Sequence, residues 1–521
     1  MMHNAFSRIS SVYEKNKNIL LPAACIIITV IIAAVVRIVF LFKDDFATGF
    51  DGYYYALQVQ SLFKNGEILN NDNSIVYPLL ACFKLLFGDI VFANKTAVVV
   101  LCSLVSVPFF LLLYRMTRSA VISCVSTIIF SISYSQIYMS FEIVKNGISI
   151  LFIVCFLFCV FEFRKNLYYR IGAAVFFILG FMTHKVTAAS MIVFCAVFLP
   201  LCAIAYRKTI FQKIKPLYVA LGAALLVIAA VAVAFSASTL RVVDLSNLMS
   251  QFSTATATKR FAMILTEISD IRIKAEMLFV YGIAAVFMPF LVFILRDKGT
   301  TPVHKLFVVA LYVTHLVLIN PFLYFSWVSM SYRLVVMSII FASLELALIL
   351  HFFLPRIPRR IVFAAAGMIL LISGITLPGM YDSFHSNRYP PYRDLYAPVM
   401  KIPAHLEKNS RLITHSGMSF FIWYETGIYT EHFTPADDTG YYRLVYAFGP
   451  PHFKKYEHEP FYETPVVIQP PYYLVKESLW HAFYNDNKDR IKLVKSWQNP
   501  WAARPPFVYT VKEKFKTPQN E

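Results

Sequence analysis

Charge is what this chain has least of. Charged residues make up 15% of its 521 positions, against about a quarter in soluble globular domains, while hydrophobic residues reach 58%. That balance excludes a soluble globular enzyme and points to a polytopic helical membrane protein. The net charge of +18 is then no nucleic-acid footprint, because surplus Lys and Arg in a membrane protein belong first to cytoplasmic loops. Cysteine is confined to apolar segments (Cys25, Cys82, Cys102, Cys124, Cys155, Cys159, Cys195 and Cys202), where it behaves as a small hydrophobe. The polar C-terminal part has none, so it folds without disulfides, and no redox or metal role attaches to the eight. No internal repeat is evident, which weakens a transporter built from inverted halves. His415, His432, Asp437 and Asp438 are too irregularly spaced for a zinc site. The first apolar run lacks a small-residue cleavage pattern and reads as an uncleaved anchor.

What is present is a series of apolar runs long enough to cross a bilayer. They fall at about Ile19–Phe42, 90–113, 119–138, 147–163, 171–184, 187–206, 217–237, 276–295, 306–325, 334–354 and 361–379. The expectation is about eleven transmembrane helices. Basic loops follow every even-numbered span: Arg115/Arg118, Arg164-Lys165 with Arg170, Arg207-Lys208 with Lys213 and Lys215, Arg296/Lys298/Lys305, and Arg356/Arg359/Arg360. They share a side with the N-terminal Arg8, Lys15 and Lys17, which sets the N-terminus in the cytoplasm and the C-terminus outside. From about Tyr381 apolar runs shorten, and Pro, Tyr and charge rise. The expected division is a transmembrane domain, 1–380, carrying outer loops, and an extracytoplasmic C-terminal domain, 381–521, small and of α/β type. Its strand-like runs are Arg411–Thr414, Pro465–Gln469, Tyr472–Lys476, Ile491–Ser496 and Pro506–Lys512, with a helix near Glu477–Asn485.

Most carboxylates of the membrane half fall in outer segments, so any chemistry is expected there. Just beyond the first span come Asp44, Asp45 and then Phe50-Asp51-Gly52-Tyr53-Tyr54-Tyr55. Tyr53–Asn65 reads as an amphipathic helix stopped by Gly66. Asp51 at its head would be kept ionised by the helix dipole, able to accept a proton or ligate a divalent metal; the plain alternative is a helix N-cap. The next outer turn, Tyr138–Asn146, sets Glu142 and Lys145 one helical turn apart, which by itself is an ordinary i,i+3 ion pair. Thr183-His184-Lys185 lies between two spans with no room for a real loop. A cation pair at an outer edge runs against the positive-inside rule and suits an anionic lipid headgroup, as does Arg333 in Ser331-Tyr332-Arg333, for which snorkelling is the alternative. In Phe420–Gly427, Trp423 and Glu425 offer a ring and a carboxylate to a sugar, as does Tyr54 in the first loop; a core strand with an edge carboxylate is the plain alternative.

The segment Phe50–Tyr55, with its helix closing on Asn65-Gly66, resembles the first outer loop of type C glycosyltransferases. That family includes the catalytic subunit of oligosaccharyltransferase, the protein O-mannosyltransferases and the aminoarabinose transferase of lipid A. The resemblance extends to many spans, acidic outer loops and an outer C-terminal domain, and so implies a GT-C-like fold. It implies a plasma (inner) membrane enzyme that moves a sugar from a polyprenyl-phosphate-linked donor to a glycan, lipid or protein acceptor. Asp51 would be the catalytic carboxylate and Asp45 the second choice. Glu142 would be the second acidic element, which in oligosaccharyltransferases helps hold a divalent cation (Mg or Mn), here with Asp51; the chain lacks a paired-acid motif at that turn. Lys145, His184, Lys185, Tyr332 and Arg333 would meet the donor phosphate. The rival classes are a flippase for lipid-linked saccharides, which would need ionisable pairs inside spans, where Glu345 and His351 are candidates, and a non-catalytic scaffold.

Overall fold

The apolar runs fold as helices whose faces divide by burial. The computed structural model describes residues 2–49, 51–69, 72–205, 271–297, 300–320, 328–353, 376–382, 392–400, 412–414, 416–432, 444–447, 491–496 and 507–511, with 367 and 403. In α1 (Met2–Leu41) a stripe of Ile27, Ile31, Val35 and Val39 faces outward, while Thr29, Ala33 and Arg37 are buried. Both sets recur every four residues, the spacing of one helix face. Beyond the first loop, α2 (Gly52–Asn65) ends on Gly66, whose left-handed conformation (φ 72°) closes the helix as its sequence foretells. A short apolar helix not foreseen in the sequence, α3 (Val76–Phe87), precedes α4 (Ile90–Leu104) and α5 (Ser106–Thr117).

Six described helices are long and apolar enough to cross a membrane: Ile19–Leu41, Ile90–Thr117, Val144–Glu162, Lys185–Ala205, Ala275–Arg296 and Arg333–Phe353. The bent pair α6 (Ala120–Ser131) and α7 (Tyr134–Phe141), at 47° to each other, is long and apolar enough together to be a broken span or a re-entrant loop. The Thr127 and Ser133 hydroxyls bond back to the carbonyls of Ser123 and Phe130, a competition that bends helices. Two further expected spans, now α9 (Leu167–Thr183) and Pro302–Ile319, are apolar but shorter helices. The expected spans at 217–237 and, almost entirely, 361–379, with the basic groups at 207–215 and 356–360, lie outside the described residues.

Contacts divide the chain into two units interleaved in sequence. The first holds Met1–Thr29, Val105–Ser135 and Ser149–Met368. Its interior is aromatic: Phe109 stacks on Phe130 at 4.1 Å, and Phe194, Phe198 and Phe307 form a second cluster. Within it α8 (Val144–Glu162) contributes its later turns, α9 is joined to α10 (Lys185–Ala205) through His184 alone, and α10 packs on Pro302–Ile319. His315 and Glu345 meet inside this unit, fully buried, at 2.9 Å.

The second unit holds Val30–Leu104, Gln136–Ile148 and Ile369–Glu521. Here α2 packs on α3, on α4 and on the helix Ser416–Thr426. Rings of Phe46, Tyr53, Tyr392 and Phe421 interlock there, and the Tyr392 hydroxyl donates to the Gly49 carbonyl at 3.2 Å. The C-terminal strands β1 (Leu412–Thr414), β2 (Thr430–His432), β3 (Leu444–Ala447), β4 (Ile491–Ser496) and β5 (Phe507–Val511) form a mixed sheet in the order β2-β1-β3-β5-β4. β1 pairs in parallel with β2 and β3; β5 pairs antiparallel with β3 and β4. Three strands thus fall where the sequence places them, at 411–414, 491–496 and 506–512. The expected strands at 465–469 and 472–476 and the helix at 477–485 lie outside the described residues. The run Phe420–Thr426 is helical, not a core strand.

Candidate functional site

The first loop is held in one shape by close backbone approach. Gly49 is left-handed (φ 67°), and a Cβ there would lie 2.5 Å from the Phe141 carbonyl oxygen and 2.8 Å from Glu142 Oε2. Only glycine allows the loop to pass so near the end of α7. The consequence is that Glu142, buried, comes against the segment that carries Asp51 two residues later. Asp51 stands at the N-cap position of α2, but its side chain makes no capping bond, so the cap alternative is not what the carboxylate does. Asp45 is exposed.

Glu142 and Lys145 do not share a helix, contrary to the i,i+3 expectation. The chain breaks between α7 and α8, and Gly147 lets the two pass: a Cβ on it would sit 2.9 Å from the Met139 carbonyl oxygen. Freed from Glu142, the Lys145 ammonium bonds Asp72 Oδ2 at 2.5 Å. The same oxygen accepts from the hydroxyls of Tyr54 (2.8 Å) and Tyr77 (2.5 Å). Burial by itself would raise the Asp72 carboxyl, but the Lys145 bond, with Tyr77 and Tyr54, holds it below the usual range. Burial first, then Asp72, pushes the Tyr54 phenol up to about 12, so it remains a donor. A carboxylate with three donors on one oxygen is a poor base. Its effect is to fix an ammonium and two phenols beside the first loop.

A cleft opens next to this cluster. Ala47, Thr48 and Gly52, which flank Asp51, form one wall; Tyr55, Leu80, Val91, Val98 and Val144 form the others, with Asn94 and Lys95 among them. Lys95 is buried on α4, and its ammonium donates to the Asp44 carbonyl at 2.6 Å. Asn94 is buried too, and neither amide atom has a partner among the described residues. An unspent amide and a buried ammonium suit a hydroxylated or anionic ligand.

The other expected site residues divide between the units. Asp51, Asp45, Glu142, Lys145, Tyr54, Trp423 and Glu425 belong to the second unit; His184, Lys185, Tyr332 and Arg333 belong to the first. His184 is half-buried, and its Nδ1 accepts the Val186 backbone N–H at 3.2 Å; Lys185 is exposed and Arg333 half-buried. Tyr332 lies on the helix Val328–Met337. Glu425 faces Tyr53, whose hydroxyl donates to it at 2.9 Å; burial raises this carboxyl, and the Tyr53 bond offsets only part of that rise. Trp423 meets Tyr429 edge-on. Among the described residues no three His, Cys, Asp or Glu side chains gather as a metal cage would need. Asp51 and Glu142 would suit magnesium or manganese only with substrate oxygens completing the shell.

Sequence reasoning missed Asp72, Tyr77, Asn94 and Lys95. Asp72 sits in a polar run, Asn70–Ser74, that reads as plain loop. Lys95 carried a signal, being a charge inside an expected span, where charge is costly.

No protein family is matched by this sequence, and no curated protein is similar to it. Among solved structures the chain is similar to ArnT from Cupriavidus metallidurans, in a crystal structure bound to undecaprenyl phosphate. The likeness covers 94% of this chain and 99% of that one, at 13% identity and a TM-score of 0.49. Similarity of that degree leaves function to be argued from the site.

Proposed function

We propose that the protein is an integral membrane glycosyltransferase of the type C kind. It would take a sugar from a polyprenyl-phosphate-linked donor and pass it to a glycan, lipid or protein acceptor on the extracytoplasmic face. One observation carries the reading: Glu142 and Lys145, at the break between α7 and α8, come back to the acidic, tyrosine-rich stretch that follows the first span. Glu142 thereby lies against the loop at Gly49, and Lys145 bonds Asp72 beside Tyr54 and Tyr77.

In the reaction, an acceptor hydroxyl or amine attacks the anomeric carbon as the bond from that carbon to the phosphate oxygen breaks. The acceptor's proton passes to the Asp51 carboxylate, and the electron pair stays on the departing phosphate. Lys145, fixed by Asp72, meets that charge, while Tyr54 and Tyr77, whose hydroxyl protons go to Asp72, hold the carboxylate that positions it. His184, Lys185, Tyr332 and Arg333 are donor-phosphate ligands by their chemistry, and Tyr54, Trp423 and Glu425 sugar contacts. No step draws on a metal; Asp51 and Glu142 are the residues that would hold a divalent cation, to screen phosphate charge. The test is Asp51→Asn in purified protein supplied with a polyprenyl-phosphate sugar. Transfer is expected to vanish with the melting temperature unchanged, and near-normal turnover would move the base to Asp45 or Glu142.

A second reading, transport of the lipid-linked saccharide, is favoured by the His315–Glu345 pair, an ionisable couple of the kind that class requires. Flipping of a fluorescent lipid-linked sugar in vesicles, abolished by Glu345→Gln but not by Asp51→Asn, would select it.

A further inference from the structure

We propose that the basic rim of the first unit, where α5 and α8 end, is a binding surface for the phosphate headgroups of anionic phospholipids. The surface is independent of sugar transfer and rests on its own residues. At its centre Glu162, almost fully buried, is bonded by Arg115 at 3.2 Å and Lys165 at 2.6 Å. Arg118, Arg164 and Lys165 all bear electrostatically on His304, whose ring stacks on Phe161 at 4.1 Å. Arg115 and Lys165 thus share one carboxylate, with Arg118 capping α5 and Arg164 just beyond the end of α8. Asp297, at the end of the helix Ile271–Arg296, accepts from Thr300.

Two nearby cations have an ordinary structural explanation. Arg170 and Lys305 donate to the carbonyls of Phe163 and Leu295, satisfying helix ends. Arg118 does not share that explanation. It is exposed and occupies a left-handed position (φ 56°) as the C-cap of α5, where glycine is at ease and a Cβ is strained. A cation is held there at a conformational cost. Beside the rim, α9 begins with Leu167 and Tyr168, 63% and 81% exposed. Apolar and aromatic side chains next to clustered cations, at the ends of bilayer-length helices, mark headgroup depth. That neighbourhood selects a lipid phosphate over a soluble one.

The test uses the full chain in detergent, titrated separately with phosphatidylglycerol, phosphatidylcholine and soluble glycerol phosphate. Melting temperature and lipid retained in native mass spectrometry are read. Phosphatidylglycerol alone should raise the melting temperature and remain bound. Arg118→Gly, and the triple variant with Arg164→Gln and Lys165→Gln, should retain it several-fold less. Because glycine suits the position, Arg118→Gly should melt no lower than wild type in phosphatidylcholine, so it decides the matter even if the triple variant fails to fold. Equal retention of the two lipids by wild type, wild-type retention by Arg118→Gly, or an equal shift with glycerol phosphate would each overturn the proposal.

Discussion

Removing the Asp72 carboxylate should weaken Lys145 as a phosphate ligand without dismantling the fold. Two unit charges 2.5 Å apart attract by roughly 7 kcal/mol at an effective dielectric of about 20. The Lys145 and Asp72 side chains remain 18% and 26% exposed, so solvent screening leaves a coupling of about 2 kcal/mol. Asp72→Asn and Lys145→Met should each slow transfer by roughly 10- to 100-fold, which is about 1.4–2.7 kcal/mol at the transition state. The double variant should be little worse than the worse single, because each change spoils the same ammonium. The acid limb of stability provides an independent reading. The folded Asp72 carboxyl lies below its unfolded value of about 3.9, so its contribution is full above that pH and is lost as pH falls through the folded value. Wild type should therefore lose melting temperature in acid faster than Asp72→Asn. Single effects on transfer that simply multiply in the double variant would refute the coupling. Parallel acid-melting curves would refute the ionised Asp72.

Three further outcomes are expected. Gly49→Ala should destabilise by about 2–3 kcal/mol and slow transfer, since its Cβ would press the Phe141 carbonyl and Glu142 from a left-handed backbone; thermal melts and turnover check both. Arg333→Ala should weaken polyprenyl-phosphate donor binding about tenfold with acceptor affinity unchanged, and Arg333→Lys should restore only part, whereas a snorkelling arginine would be replaced by lysine in full. A reporter fused after Glu521 should be active only outside the cytoplasm, and one at Lys213 only inside; a cytoplasmic signal from the C-terminal fusion would invert every loop assigned from the basic residues.

Local pattern made α2 and its stop legible, because an amphipathic run ending in glycine needs no distant partner to define it. The same short-range grammar failed at Phe420–Thr426, where a brief aromatic run carries neither a helical nor a strand period clearly and packing on α2 decides for helix. Pairings were hidden for a different reason. Lys145 finds Asp72 across 73 positions, and His315 finds Glu345 across 30, distances over which no spacing rule operates. Yet polar groups inside apolar runs do announce that a partner exists, since a bare charge in a hydrocarbon setting is too costly to keep. Arg37 in the first span donates to Ser140 and Ala33, Lys95 to the Asp44 carbonyl, and Glu345 meets His315. Such residues therefore predict contacts more firmly than the loop acids do, because an acid in water can stand alone. By that logic Asn94, buried beside Lys95 with its amide unspent, marks the wall of the cleft where a ligand's polar groups should meet the protein.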